Sequence, residues 1–480
     1  MDINHFYDKP QEECGIFGAS LRVNEAAAVT YNGLLALQHR GQEGAGIAVV
    51  QGNRILHRKS MGLVTQVFHS KGLSNLASAV AIGHNRYASS RKTDISTVQP
   101  FVYDFLTGRI ATVHNGCIVN AKPIRDRLSR RGVDFEAATD SEVISGLIAY
   151  RVMQTKDIQN MKKDADLVKG IVKAASELKG AFCLLVMDNK QRLVACRDPH
   201  GFRPLCIGRN EHGMVVASET CALDSCGFEF VRDVRPGEVV VIENGEIVHE
   251  EIMLPPNKES ACIFEYVYFA RPDSIIDGQS VFESRYEMGR RLAKEHVRDA
   301  DIVCGVPESG LISAMGYAAM SGIPLSTAFV KNHYLGRSFI YPTQAQRVRA
   351  VGLKLNPLRA TVAGKRVVLV DDSIVRGTTC AKIISSLREA GAKEVHMMVS
   401  SPPFRHLCHF GTDIESEDVL IARKLTVDEI CREIGADSLG YLSEEGLVES
   451  CGKCSLGMCT GCFSGEYAID VDAHKEDHLD

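Results

Sequence analysis

The chain opens on MDINHFYDKPQEE, a leader without the long apolar segment that a secretory signal or a membrane span needs. The cytoplasm is the expected compartment, and no membrane partner is expected. An excess of positive charge is missing too. The formal net charge of -5 excludes a surface that coats nucleic acid, while leaving room for a local basic cleft around a phosphorylated metabolite. No internal repeat or low-complexity tract is found. What the 480 residues do hold is core material, 45% apolar against 24% charged, enough for at least two cores and too much for disorder. Sixteen cysteines are sparse beside a small disulfide-built module. Four of them, Cys451, Cys454, Cys459 and Cys462, crowd the C-terminal tail, which favours a metal or a cluster over bridges.

From Cys14 the segment CGIFGAS reads as a strand, and NEAAAVTYNGLLALQHRG as an amphipathic helix running from Asn24 to Gly41. AGIAVV, a Gly52-Asn53 turn and RILHRK read as a hairpin, while AVAIG and RIATVH are short strands ending in polar groups. Thr139 and Glu142 have capping-box spacing at the start of a helix through TDSEVISGLIAY, and a second helix is expected from Asp164 to Leu178. AFCLLVMD, LVACRD and GMVVASE restore strands up to about residue 250. MLPPNKES then marks a boundary. Beyond it strands and helices alternate, through DIVCGVP, GLISAMGYAAMSG and LSTAFV to KRVVLVDDSIVRGTTCAKIISSLREAGAKEVHMMVS. This last is a βαβ unit with its helix closed by Gly391, which implies a parallel sheet binding ligands at the carboxyl ends of its strands.

Asp371 and Asp372 fall where the strand VVLV ends, and Arg376-Gly377-Thr378-Thr379 opens the helix. Backbone N–H groups at that opening can cradle a terminal phosphate. The two carboxylates can accept hydrogen bonds from ribose hydroxyls and hold a magnesium-chelated pyrophosphate. A Walker A loop is excluded because Arg366 follows Gly364-Lys365, and a dinucleotide fingerprint because acids stand where its glycines belong. A mere acidic turn with a helix cap would need strand, acid pair and Gly-Thr-Thr opening to coincide by chance.

VVLVDDSIVRGTT resembles the motif with which type I phosphoribosyltransferases bind 5-phosphoribosyl-1-pyrophosphate (PRPP). The resemblance implies PRPP binding by Asp371, Asp372, Ser373, Arg376, Gly377, Thr378 and Thr379. Ser309 in GVPESG would join Asp371 and Asp372 around Mg2+. KNHYLGRSFI is similar to the mobile loop of that family, which turns Lys331 and Arg337 from ordinary solvated charges into candidates for neutralising departing pyrophosphate.

By itself Cys14 would most often be a buried strand cysteine. However, ALQHRGQEGAGIAV, IGHNRYAS, HNGCIVN and TDSEVI occur in the order found in glutamine amidotransferases of the N-terminal-nucleophile type. That resemblance makes Cys14 the nucleophile once residues 1–13 are removed as a propeptide. A terminal cysteine carries an α-amine, with a reference pKa of about 8, that can take the thiol proton; an internal one does not. Asn115 and the backbone N–H of Gly116 would form the oxyanion hole, Arg86 would clamp the glutamine α-carboxylate, and Asp140 would receive its α-ammonium. The turn Ala88-Ser89-Ser90-Arg91-Lys92 and Cys117 depart from the family's usual residues, so the pocket rim, and with it any role of His84 or Tyr87, is left open.

Together the halves resemble the glutamine PRPP amidotransferases, and EYVYFARPDS at 265–274 fits that pattern. The implied architecture is α/β and α+β. It comprises an N-terminal-nucleophile αββα glutaminase domain over 14–255 and a type I phosphoribosyltransferase α/β domain over 256–480 with a cluster-binding tail. The implied reaction converts PRPP, glutamine and water to 5-phospho-β-D-ribosylamine, glutamate and pyrophosphate, the first committed step of purine biosynthesis. Purine nucleotides are the implied feedback inhibitors and a homotetramer the implied assembly. A salvage phosphoribosyltransferase would not need residues 14–250, and a purine regulator should carry a basic helix-turn-helix, of which there is no sign.

By spacing alone, Cys451-x2-Cys454 and Cys459-x2-Cys462 would also make a tetrahedral zinc site. Resemblance to the iron-sulfur branch of the family implies instead a [4Fe–4S] cluster on Cys262, Cys408, Cys459 and Cys462, leaving Cys451 and Cys454 as extra thiols.

Overall fold

The computed structural model of the chain describes residues 14–68, 73–87, 94–105, 108–155, 166–255, 258–332, 355–412, 414 and 416–471. The leader, Arg337 and the rim residues 88–92 lie outside them. Among the described residues no helix is long and apolar enough to cross a membrane.

The first half is two stacked sheets. One has seven strands in the spatial order Glu229–Asp233, Cys206–Asn210, Gly213–Ala217, Gly15–Leu21, Val80–Arg86, Gly44–Gln51, Arg54–Met61. The other has six, ordered Glu246–Ile252, Glu238–Glu243, Leu193–Arg197, Cys183–Asp188, Gly108–Asn115, Phe101–Phe105. All pairings within them are antiparallel. The two-residue side-chain period assigns each strand residue to a layer. Ile16 meets Ala111, Val113 and Leu185 between the sheets, whereas its neighbour Phe17 faces outward to Ala27 and Leu34 of the helix Ala26–Ala36. That helix lies close, since a Cβ on Gly33 would fall 2.3 Å from the Phe17 ring. On the outer face of the second sheet, Val143, Ile144 and Leu147 of the helix Asp140–Gln154 pack with Ile171 of the helix Leu167–Ala175. The result is the αββα layering expected of this half.

Three local expectations need correction. The helix expected over Asn24–Gly41 spans only Ala26–Ala36 and has apolar residues on every face. Beyond it the chain turns, Leu37 and Arg40 packing inward against the backbone of Gly15. The capping box at Thr139 is half formed. Thr139 accepts from the Glu142 N–H at 3.3 Å, but the Glu142 carboxylate turns away to accept from the N–H groups of Glu136 and Ala137 at 2.9 and 2.8 Å. The following helix starts at Leu167 because Asp166 caps it by accepting from Lys169 N at 3.0 Å.

The second half holds a parallel sheet ordered Ile302–Gly305, Arg366–Asp371, Glu394–Val399, Ser438–Tyr441. Val368 and Val370 face the helices Val281–Glu295 and Leu311–Ser321. Val367 and Leu369 face the helix Thr378–Glu389. The expected βαβ unit is therefore present, and Gly391, with φ 97°, follows the helix cap. LSTAFV forms a strand only from Phe329, in Phe329–Lys331, which pairs with Leu355–Pro357. The tail returns across the second half, where Met458–Cys459 pairs in parallel with Ala261–Cys262.

Candidate active sites

Cys14 immediately precedes the central strand Gly15–Leu21 and is partly exposed. Gly15 pairs with Asn85 and Gly44 with Arg86, so Cys14 and Arg86 share one end of the first sheet. Arg86 is buried. Its Nη1 donates to the Thr97 carbonyl at 3.0 Å, while its buried Nε has no hydrogen-bond partner. Asn115 closes the strand Gly108–Asn115 of the facing sheet and is fully buried, and neither its Nδ2 nor its Oδ1 has a hydrogen-bond partner among the described residues. Most buried amides in folded proteins are satisfied. One that is not, at a strand end of the sheet facing that of the candidate nucleophile, is available to a ligand oxygen. Gly116 has φ 133°, and a Cβ there would lie 2.3 Å from the Ala181 carbonyl oxygen; only glycine fits the turn. Asp140 is the first residue of its helix, where the positive end of the backbone dipole favours an anion. Its Oδ2 accepts from Ile118 N at 3.1 Å and its Oδ1 from Ser141 N at 2.7 Å.

His84 and His114 are buried on the two strands that end at Arg86 and Asn115. Burial, then the charge of Arg86, pushes His84 well below the ordinary imidazole range, and burial also lowers His114. Both are neutral near pH 7, so neither adds charge to the candidate site. The segment Thr97–Pro100 links the two sheets, because Thr97 receives Arg86 and Gln99 binds His114 and Ser141. Sequence reasoning missed Gln99. A glutamine before a proline reads as a loop residue, and nothing local distinguishes it.

In the second half Asp371 and Asp372 are buried at the carboxyl end of the strand Arg366–Asp371. Ser309 donates to Asp371 Oδ1 at 3.0 Å, bringing the loop after Ile302–Gly305 to the acid pair. Asp372 N donates to the same oxygen at 2.9 Å, and Ser373 Oγ donates to Asp372 Oδ2 at 2.7 Å. Gly377, with φ 80°, caps the helix that Thr378 and Thr379 begin. Lys331 forms an ion pair with Glu308 at 3.3 Å, beside Ser309; Arg337 is outside the described residues. Arg285 went unrecognised in the sequence. It is buried, donates to the carbonyls of Tyr266 and Ala270 at 2.8 Å each, and feels the charge of Asp372.

The segment 265–277 joins the halves. Glu265 accepts from Arg40 and Arg203, and Asp277 takes both Nη atoms of Arg197 at 2.8 Å each. Glu219 accepts from Arg40, from Ser274 Oγ at 2.7 Å and from Arg271 N at 2.8 Å. Burial pushes the Glu219 carboxyl up, but Arg40 and His39 outweigh it and hold it well below the ordinary carboxylate range.

Among the described residues no cysteine forms a disulfide, and no three or more His, Cys, Asp or Glu side chains converge as ligands of a metal ion. Nevertheless Cys262 and Cys459 are directly paired across two strands. Burial raises the Cys462 thiol well above its ordinary value, and Cys262, Cys408 and Cys459 raise it further. Cys262 and Cys459 are thus adjacent, and Cys408 is near enough to Cys462 to act on its charge, without the four converging as one ligand group among the described residues. Cys451 and Cys454 stand apart from them, with Tyr266 O–H donating to Cys454 Sγ at 3.4 Å, so the two C-x2-C pairs do not form one site.

Residues 84–225 match the glutamine amidotransferase domain family and residues 283–402 the phosphoribosyl transferase domain family. The chain is 45% identical over 480 residues to an amidophosphoribosyltransferase of Synechocystis sp., covering 99% of this chain and 95% of the relative. It is 45% identical over 478 residues to that of Methanocaldococcus jannaschii, covering 96% and 99%. Among solved structures it resembles one described as the allosteric regulatory enzyme of purine biosynthesis, with TM-score 0.87, 43% identity and coverage of 95% and 97%. It also resembles the glutamine PRPP amidotransferase of B. subtilis complexed with ADP and GMP, with TM-score 0.86, 42% identity and coverage of 95% and 98%. Similarity of this degree over nearly the whole length means that the chain belongs to the amidophosphoribosyltransferase family, the glutamine-dependent glycosyltransferases of purine biosynthesis.

Proposed function

We propose that residues 14–255 hydrolyse glutamine and that residues 256–480 attach the released ammonia to C1 of PRPP, giving 5-phospho-β-D-ribosylamine, pyrophosphate and glutamate. The observation that carries the first step is the buried Asn115 amide without a hydrogen-bond partner. Cys14, its α-amine exposed by loss of residues 1–13, attacks the glutamine amide while that amine takes the thiol proton. Asn115 Nδ2 and the Gly116 N–H receive the charge that develops on the carbonyl oxygen. Arg86 holds the α-carboxylate and Asp140 the α-ammonium, and water then releases glutamate from the thioester.

In the second step Thr378, Thr379 and the backbone around Gly377 hold the 5-phosphate, with Arg376 and Ser373 beside it. Asp371 and Asp372 take the ribose hydroxyls. Ser309, Asp371 and Asp372 also fit Mg2+, a hard cation that binds oxygen donors and, when bound, neutralises pyrophosphate. Lys331 and Arg337 balance the leaving group's charge. Cys262, Cys408, Cys459 and Cys462 are assigned to a [4Fe–4S] cluster on the family resemblance; they come from three separate segments, and an inorganic core held by thiolates would tie the tail to the second half. The reading extends to a cytoplasmic homotetramer inhibited by purine nucleotides, in line with the nucleotide-bound relative. Pyrophosphate release that depends on both glutamine and PRPP tests the proposal. Glutamine hydrolysis with no PRPP consumption under any nitrogen source would reject it.

A further inference from the structure

We propose that Gln99 is a positioning residue of the glutaminase half, whose carboxamide fixes the spacing between the oxyanion donors at Asn115 and Gly116 and the carboxylate of Asp140. This inference rests on the glutaminase reading above and deepens it. The strand Phe101–Phe105 pairs with Gly108–Asn115 only as far as Phe101 opposite Thr112. Beyond that pair the edge of the strand has lost its neighbour just before the candidate site. Gln99 supplies what is missing. Its Oε1 accepts from His114 N at 2.6 Å and its Nε2 donates to His114 O at 3.2 Å. That double exchange is what the backbone of a partner strand would make, so the side-chain amide stands in for a peptide group. The same Nε2 donates to Ser141 Oγ at 3.1 Å, which ties the strand end to the first turn of the helix that begins at Asp140.

The hydrogen-bond inventory closes around this amide. His114 is neutral and carries one ring proton. With that proton on Nε2 it donates to the Ala181 carbonyl at 3.4 Å, and Nδ1 accepts from Ser141 Oγ at 2.9 Å. Ser141 Oγ then receives from Gln99 Nε2 and shares its one proton between His114 Nδ1 and Asp140 Oδ1, the latter 3.3 Å away, and Ser141 N is committed to Asp140. The Ala181 carbonyl held by His114 is also the surface on which Gly116 packs. One buried carboxamide therefore sets Asn115 through the backbone, Gly116 through His114 and Asp140 through Ser141. An amide accepts from the N–H and donates to the C=O of one residue at any pH, which an ionised carboxylate cannot do. A carboxylate would meet the His114 carbonyl with like charge, and a methionine would offer neither bond.

The test uses the processed full chain with Gln99→Glu, Gln99→Met and, as reference, Cys14→Ala. Misplacement of reacting groups by about 1 Å costs on the order of a hundredfold, so Gln99→Glu should lose roughly that factor in glutamine kcat/KM at about pH 8. Loss should appear both in kcat, through Asn115 and Gly116, and in glutamine KM, through Asp140. Burial raises the pKa of the introduced acid, and its neutral form has one O–H that can restore the bond to the His114 carbonyl while its other oxygen accepts from His114 N; the variant's activity relative to the parent should climb between about pH 8 and about pH 6. Gln99→Met should show a loss without that pH dependence. Alkylation of Cys14 by iodoacetamide reports the nucleophile, and ammonia-dependent turnover reports the second half. Retention of glutamine kcat/KM within about threefold of the parent in Gln99→Met would overturn the proposal. So would a Gln99→Glu loss that is independent of pH and shared by ammonia-dependent turnover. If Cys14→Ala still uses glutamine, the underlying glutaminase reading has failed; if it does not and Gln99→Met does, only the positioning role has.

Discussion

Replacing Asn115 by leucine should separate catalysis from stability. In most buried positions, removing an amide breaks hydrogen bonds worth about 1 kcal/mol each and strands their partners. Here the side chain is fully buried and makes no hydrogen bond to the protein, so no such bond is lost. Leucine has the same branched shape and removes a polar group whose burial without a partner costs about 1–3 kcal/mol. Thermal stability of the processed protein should therefore stay level or rise. The catalytic effect has the opposite sign. An oxyanion donor that bonds only the transition state is worth about 2.7–4 kcal/mol, so glutamine-dependent kcat should fall roughly a hundred- to a thousandfold. Glutamine KM should change little, because in the proposed reading the α-substituents are bound by Arg86 and Asp140 rather than by Asn115. Steady-state glutaminase assays and a melting curve on one preparation measure both. A marked drop in melting temperature would show that Asn115 is a structural amide, and unchanged kcat would show that the oxyanion lies elsewhere.

Cys14→Ala should abolish glutamine use while synthesis from ammonium salts at alkaline pH persists, and intact-mass measurement of active protein should find a chain beginning at Cys14. Asp371→Asn combined with Asp372→Asn should remove product formation from both nitrogen sources; normal PRPP turnover in that variant would refute the ribose site. Iron and sulfide should be found in anaerobically purified protein and be lost on Cys→Ser change at Cys262, Cys408, Cys459 or Cys462. Stoichiometric zinc without iron, or loss on changing Cys451 and Cys454 alone, would refute that ligand set.

The features readable in the sequence are those carried by local pattern. The strand-like start CGIFGAS and the short apolar run RIATVH located strands, and polar residues fall at their ends, Cys14 and Arg86 at one end of the first sheet and Asn115 at the end of a strand in the facing sheet. The acid pair and Gly377 are legible for the same reason, since one turn follows one strand. Features that depend on distant partners were not legible. Arg40 belongs to a segment that reads as a continued helix, yet its guanidinium is buried against Glu265, 225 residues away. Tertiary burial of that charge overrides the helical pattern of LALQHRG. Gln99 fails for a related reason, because its role is set by a vacancy beside His114 that exists only once the second sheet has formed. The early end of the 26–36 helix and the half-made box at Thr139 follow the same rule, with packing deciding where propensity is nearly neutral.

The junction between the halves carries a pH dependence whose sign can be worked out. Asp233 ends the strand Glu229–Asp233 of the first half, and its carboxyl is raised to about 7, first by burial and then by the charge of Asp277 from the second half, with Arg197 opposing. Unfolded, the same group titrates at about 3.9. Between these values the folded protein holds a proton that the unfolded chain does not, so stability falls as pH rises from about 4 towards about 7, and this contribution is gone above the folded value. Once ionised, Asp233 competes with Asp277 for Arg197, whose two Nη atoms Asp277 holds at 2.8 Å. The contact that weakens is therefore one between the halves. Asp233→Asn keeps the position neutral at every pH, so its melting temperature should gain on the parent as pH increases from about 5 to about 8. If ammonia passes from Cys14 to the acid pair as proposed, the yield of ribosylamine per glutamate formed should decline above pH 7 in the parent more than in the variant. A melting difference that is constant or shrinks with rising pH would mean that Asp233 is already ionised in the folded protein, and that Arg197 alone is enough to bind both acids.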